Sequence, residues 1–289
     1  MRMKKYLILG LFSLLLIAGC GEKSTHTDSY LSPAFNKDSN IVCVRGITES
    51  RSNMIDVKTS DSYNEFIEIM SQAGTSEKLY DDVTNDYPSI LVPSPNSDQV
   101  AFGTDLRLGL FNKIVIITTP TSSYTGATRI ELNIPSVRSF DWNSAGTHLI
   151  YCNNLGEIRS IKLDGSGDAL ITSEGATSVS AKYGTRIFYT YNDGADSKLA
   201  YWDNSTRTQT GIAGVSNICV SAANTNEVYC AKSNAYEKLD FSGPTIAESV
   251  KISSFTGNLP SLAPTGDKIV YYDSGIWTAD FLGNKTKVK

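Results

Sequence analysis

This chain of 289 residues has two histidines, His26 and His148, and that scarcity removes several chemistries at once. Without a histidine cluster, zinc catalysis and the usual Ser-His or Cys-His activation of a nucleophile lack their base. The sequence has no Gly-x-Ser-x-Gly elbow, no phosphate-cradling glycine loop and no Cys-x-x-Cys pair. No basic run follows Lys5, so nothing suits a phosphate backbone, and nucleic acid is excluded as a partner. Amphipathic helical periodicity is also lacking. Asn64–Gln72 fits a helical turn or a strand, and only the repeat described below decides for strand. The one long apolar run, Leu7–Ala18, is twelve residues, short of the roughly 20 that a membrane-spanning helix needs.

That run belongs to a processing signal. Arg2, Lys4 and Lys5 precede it, and Ile17-Ala18-Gly19-Cys20 closes it with small residues before a cysteine. The arrangement resembles the lipobox of bacterial lipoproteins, which implies cleavage after residue 19 and lipidation of Cys20. Residues 1–19 take three of the 26 basic residues and none of the 30 acidic ones. The mature chain thus holds 23 against 30, a formal charge of −7. Residues 20–29 are polar and without periodicity, and read as a flexible tether. Gly21 is not the Asp that commonly retains lipoproteins at the inner membrane. The expected address is the outer membrane or periplasm of a Gram-negative cell, or the cell surface.

What the chain does have is repetition. AFNKDSNIVC (34–43), PSPNSDQVAF (93–102), WNSAGTHLIY (142–151), SAKYGTRIFY (180–189), SAANTNEVYC (221–230) and LAPTGDKIVY (262–271) align without a gap. Each passes through a polar turn, often with Gly fifth, into a short apolar strand. The strands begin at 41, 100, 149, 187, 228 and 269. A period near 40 with several strands per unit points to a β-propeller, because one unit cannot bury both its faces alone. The fold class is therefore all-β: six blades of four antiparallel strands over 30–289, starting near Tyr30, Asp86, Ile134, Gly175, Gly214 and Lys251. In the third unit the strands are expected at about 137–142, 148–152, 156–163 and 168–172. Insertions fall near Glu49–Asn64 and Pro120–Ala127. Lys285, Lys287 and Lys289 suit an outermost edge strand, where charge deters edge-to-edge pairing.

PSPNSDQVAF, WNSAGTHLIYC and LAPTGDKIVYY resemble one half of the TolB-type, WD40-like propeller repeat, and LDGSGDALIT (163–172) resembles its other half. The likeness covers about residues 30–289. It implies a six-bladed propeller; TolB itself has a further α/β domain and no lipid anchor, so its role at the cell envelope does not carry over with the fold.

Few residues stand out as a site. Asp141 is the only acid in a slot held elsewhere by Pro33, Val92, Val179, Val220 and Ser261, near the innermost strand. It is a candidate for the central channel, with a satisfied local hydrogen bond as the plainer reading. Asp164-Gly165-Ser166-Gly167-Asp168 alternates oxygens but lacks the bidentate Glu of a calcium loop and coincides with a structural turn. His148 lies in a solvent-facing polar slot, and Asp81-Asp82 at a strand edge. Cys43 and Cys230 occupy an apolar repeat position and should be core. Cys219 and Cys230, flanking a hairpin turn, are the expected disulfide, with Cys43 and Cys152 free. No catalytic residue, metal or cofactor is expected. The expectation is a monomeric, lipid-anchored module that binds an envelope protein. Glycan binding is the alternative, and a propeller lyase or hydrolase the more distant one.

Overall fold

The computed structural model describes residues 23–52, 58–70, 76–80, 90–104, 109–118, 128–255 and 257–289. Cys20, the expected signal segment 1–19, Asp81-Asp82 and the expected insertion at Pro120–Ala127 lie outside them. Every regular element described is a strand, and the strands form six four-stranded antiparallel sheets. Each sheet consists of four consecutive strands, so the molecule is a six-bladed β-propeller. The third blade has Val137–Trp142, His148–Asn153, Glu157–Lys162 and Ala169–Ser173, within a residue or so of expectation. Residues 64–70 are strand, within Lys58–Met70.

The core is divided into six apolar clusters, one at each blade–blade junction. This division explains why the second strands are apolar at consecutive positions. In the third blade Leu149 and Tyr151 face the second blade, while Ile150 and Cys152 face the fourth. A strand buried on both faces has no solvent side to alternate with. The tyrosines Tyr189, Tyr191 and Tyr271 are buried in these junctions. Cys43 and Cys230 are fully buried, as their repeat position implied.

No sheet is shared between the two ends of the chain. The sixth blade meets the first through side chains: Phe35, Ile41, Cys43 and Met70 pack on Ala263, Val270 and Ile276. One cross-ring bond joins them, from Phe35 N to Ser261 Oγ at 3.1 Å.

Blade one differs from expectation. Its innermost strand begins at Lys23, inside the segment expected to be a tether, and pairs with 46–52 through Ser29↔Gly46 to Lys23↔Ser52. The 49–64 insertion lengthens the same ladder, with Ser52 opposite Lys58. These stretches are too polar to announce strands by hydrophobic alternation. Their regularity comes from backbone pairing with a distant partner. At the other end, Lys251 and Ile252 belong to the outer strand of blade five, and blade six begins with Asn258–Leu262.

The glycines fifth in the pattern are fixed by two constraints at once. Gly184 has φ +81°, and a Cβ there would lie 2.9 Å from Thr225 Cβ of the next blade. Gly266 has φ +72° and faces Ser221 of blade five. Left-handed backbone and close blade contact leave room for glycine alone.

The turns between third and fourth strands share an aspartate. Asp164, Asp240 and Asp280 each accept the N–H two residues on, at 2.9, 2.9 and 3.0 Å. Their carboxyls sit below the ordinary value, held there by the hydroxyls of Ser166 and Ser242 and the Asn284 amide, then by backbone N–H groups. A depressed folded-state value means that the stabilisation is present above the unfolded pKa of about 3.9 and is lost as pH falls through the folded one. Replacing all three by Asn, which keeps the oxygen acceptor, should flatten the fall in urea midpoint below about pH 4. An unchanged acid limb would show that these turns do not contribute to it.

The expected disulfide is absent: Cys43, Cys152, Cys219 and Cys230 are free thiols. Cys219 stands opposite Tyr229, not Cys230, because the hairpin is centred on Asn224, with Val220 opposite Val228 next to the turn. A register slip of one residue reverses the face of every side chain. Cys219 therefore packs with Tyr229 toward blade six, while Cys230 faces blade four. Burial pushes the thiols up, to about 12 for Cys152 and Cys230 and about 11 for Cys219. At pH 8 iodoacetamide should leave the folded protein nearly unmodified, and all four should react once it is unfolded. A Cys219–Cys230 peptide link in the mass spectrum would contradict the register.

Candidate functional site

The innermost strands converge on a central channel, and its mouth forms a cavity of about 200 Å³ to which all six blades contribute. Pro33, Val92, Asp141, Val179, Cys219 and Ser261 are among its walls. Asp141 thus lies where its unusual slot suggested.

Its chemistry is structural. Oδ1 accepts Trp142 N–H at 2.8 Å. Oδ2 accepts the N–H groups of Ala181 and Lys182, at 2.9 and 3.2 Å, and the Ser180 hydroxyl at 3.3 Å. Three of these donors converge on Oδ2 and one on Oδ1, so each carboxylate oxygen is engaged. Burial pushes its carboxyl above the ordinary value, while the charge of Lys182 and three backbone N–H groups pull it back. The plainer reading, a satisfied hydrogen-bonding role, is the one the geometry supports.

The bonds also run between blades. Val220 N–H donates to Ser180 Oγ at 3.2 Å, and Ser180 donates in turn to Asp141, so one relay ties blades five, four and three. Ser139 Oγ accepts Val179 N–H at 3.3 Å, and Trp142 Nε1 donates to Val92 O at 2.7 Å across the second junction. Ser261, in the same slot as Asp141, accepts Phe35 N–H at the closing junction. The acid has recruited one repeat position for joining adjacent blades.

Lys182 and Tyr183 also line the mouth. The Lys182 ammonium makes no ion pair or hydrogen bond among the described residues, and lies 5.6 Å from the Tyr183 ring centroid. Burial lowers its pKa, and the charge of Asp141 opposes that. Sequence reasoning passed over Lys182. The signal was available, since the equivalent slots hold Asn36, Pro95, Ser144, Ala223 and Pro264, and no other cation.

The remaining candidates are engaged elsewhere. Asp164 Oδ1 is held by Ser166 N and Oγ. Asp168 bridges to the Arg159 guanidinium and the Tyr151 hydroxyl. The His148 ring shares a hydrogen bond with Thr147 Oγ1. No group of three or more potential metal ligands occurs among the described residues.

No family model matches the chain, and no curated protein matches it either. The architecture, by contrast, recurs in 815 solved chains. One, described as "KlHsv2 with loop 6CD replaced by a Gly-Ser linker", aligns with 91% of this chain and 100% of its own. The TM-score is 0.52 and the identity 13%. At that identity the likeness shows the fold.

Proposed function

We propose that this protein is an exported, lipid-anchored propeller of the TolB type that binds another envelope protein through its channel-mouth face. The observation that carries the reading is the use of the mouth's polar groups. Asp141, Ser139, Ser180 and Ser261 are committed to joining blades, which gives a rigid concave platform with no nucleophile–base pair. Rigid scaffolds that position loops are a common basis for recognition. The Cys20 signal and the repeat motifs support the address and the family. The Tyr189, Tyr191 and Tyr271 rings are buried, so these three do not form a sugar platform. On this reading the chain is a binding protein and not an enzyme.

The test is affinity capture of the full-length protein from native membranes, with Cys20→Ala as the control. Wild type should retain a stoichiometric protein partner and partition into detergent. The Cys20→Ala variant should leave the membrane fraction. A wild type that captures nothing, or a variant that partitions unchanged, contradicts the reading.

A further inference from the structure

The channel mouth holds hydrogen-bond donors that no described acceptor takes up. Lys182 carries three N–H donors with no acceptor among the described residues. Ser139 and Ser261 each accept an N–H from the neighbouring blade, and neither hydroxyl proton has a described acceptor. Asp141, the acid that should balance the ammonium, is bonded to four other donors and acts on it through space, with no direct ion pair between them. Elsewhere the pairing is ordinary: Lys113, Lys198, Lys232 and Lys238 each meet a carboxylate within 3.1 Å. An ammonium drawn partly out of water needs a charged acceptor to offset its lost hydration.

We propose that the channel mouth is a binding site for a small organic monocarboxylate, its anionic end on Lys182 and its apolar body against Val92, Val179 and Ile218. The charge follows from Lys182 being the one cation among the described residues that line the mouth. A dianion such as phosphate would want a second one, or a guanidinium fork, and the lining supplies neither. The size follows from the cavity, whose roughly 200 Å³ falls below the ~300–1,000 Å³ of pockets for drug-sized ligands. The apolar body follows from the aliphatic residues that the inner strands of three blades bring to the same cavity. This site rests on reading the propeller as a binding module, but on neither the lipid anchor nor the protein partner.

Asp141, Tyr183 and Cys219 are the titratable groups facing Lys182, and all are neutral or already bonded near neutral pH. Affinity should therefore fall with rising pH only as the ammonium itself deprotonates, below its ordinary 10.5.

Isothermal titration of the detergent-solubilised full-length protein provides the test, with benzoate and butyrate as probes, benzamide as the neutral control and inorganic phosphate as the dianion. Saturable benzoate or butyrate binding is expected, at least tenfold tighter than benzamide and phosphate. Lys182→Met should abolish that preference without lowering the thermal midpoint, since an unpaired charge is removed. Lys182→Arg should retain it and hold it to higher pH. Equal binding of benzoate and benzamide, no carboxylate binding by wild type, or an unaltered Lys182→Met variant would overturn the proposal. Tighter phosphate than benzoate would overturn it too. Failure of membrane capture with benzoate binding intact would refute the protein partner alone, and the reverse result would refute this site alone.

Discussion

Replacing Asp141 by Ala should lower the unfolding free energy by about 3 kcal/mol, a large share of the roughly 5–15 kcal/mol that holds a domain folded. The substitution orphans the N–H groups of Ala181 and Lys182 and the Ser180 hydroxyl in a junction where Ala181 and Ser180 are 4% and 3% exposed. Each buried donor left without an acceptor costs about 1–3 kcal/mol, and relief from burying a carboxylate offsets part of the total. Asp141→Asn should cost less than Asp141→Ala, because its amide oxygen can take the Oδ2 position and leave the NH₂ facing the Trp142 N–H alone. Ser261→Ala in the equivalent slot removes one bond and should cost about 1 kcal/mol. Urea titrations followed by tryptophan fluorescence make the comparison. A loss below about 0.5 kcal/mol for both Asp141 variants would show that the relay across blades three, four and five does not form in solution.

Phe35→Ala should cost about 3–5 kcal/mol, the usual range for deleting a buried aromatic ring. Its position adds a signature. Phe35 is 1% exposed at the junction of the first and last blades, where no shared strand backs up the side-chain packing. A seam held by side-chain packing and a Phe35–Ser261 hydrogen bond, with no chain segment linking its two blades, should open first. Native-state hydrogen exchange of the variant should accelerate in Ile41–Ser52 and Lys268–Tyr272, sparing Leu199 and Ala200 in blade four. A uniform acceleration throughout the ring would place the weak junction elsewhere, or nowhere.

The sequence revealed what depends on local periodicity. The apolar run HLIYC with its polar turn and Gly146 located a second strand to within one residue, because a strand buried on both faces and a left-handed turn each restrict residue choice locally. The Asp164 turn was legible for the same reason. Features that depend on distant backbone were not. Lys23–Ser29 is strand because 46–52 lies beside it, and nothing in its polar composition says so. The Cys219–Cys230 pairing failed on parity: a centre placed between Asn224 and Thr225 puts Cys230 opposite Cys219, whereas the hairpin turns about Asn224 and puts Tyr229 there. At the site, comparing repeat slots found Asp141 by the oddity of its charge, and the same comparison would have found Lys182. Whether an odd residue is bonded or free is decided by a neighbouring blade some 40 residues away, as Ala181 decides it for Asp141.

The central claim, recognition through the channel-mouth face, is tested most directly by photo-crosslinking in native cells. A benzoylphenylalanine at Tyr183, which lines the mouth, should give one discrete heavier product whose mass identifies a protein partner. The same probe at Val250, 58% exposed on the outer strand of blade five, should give none. No adduct at Tyr183, or matching adducts at both positions, would contradict the account.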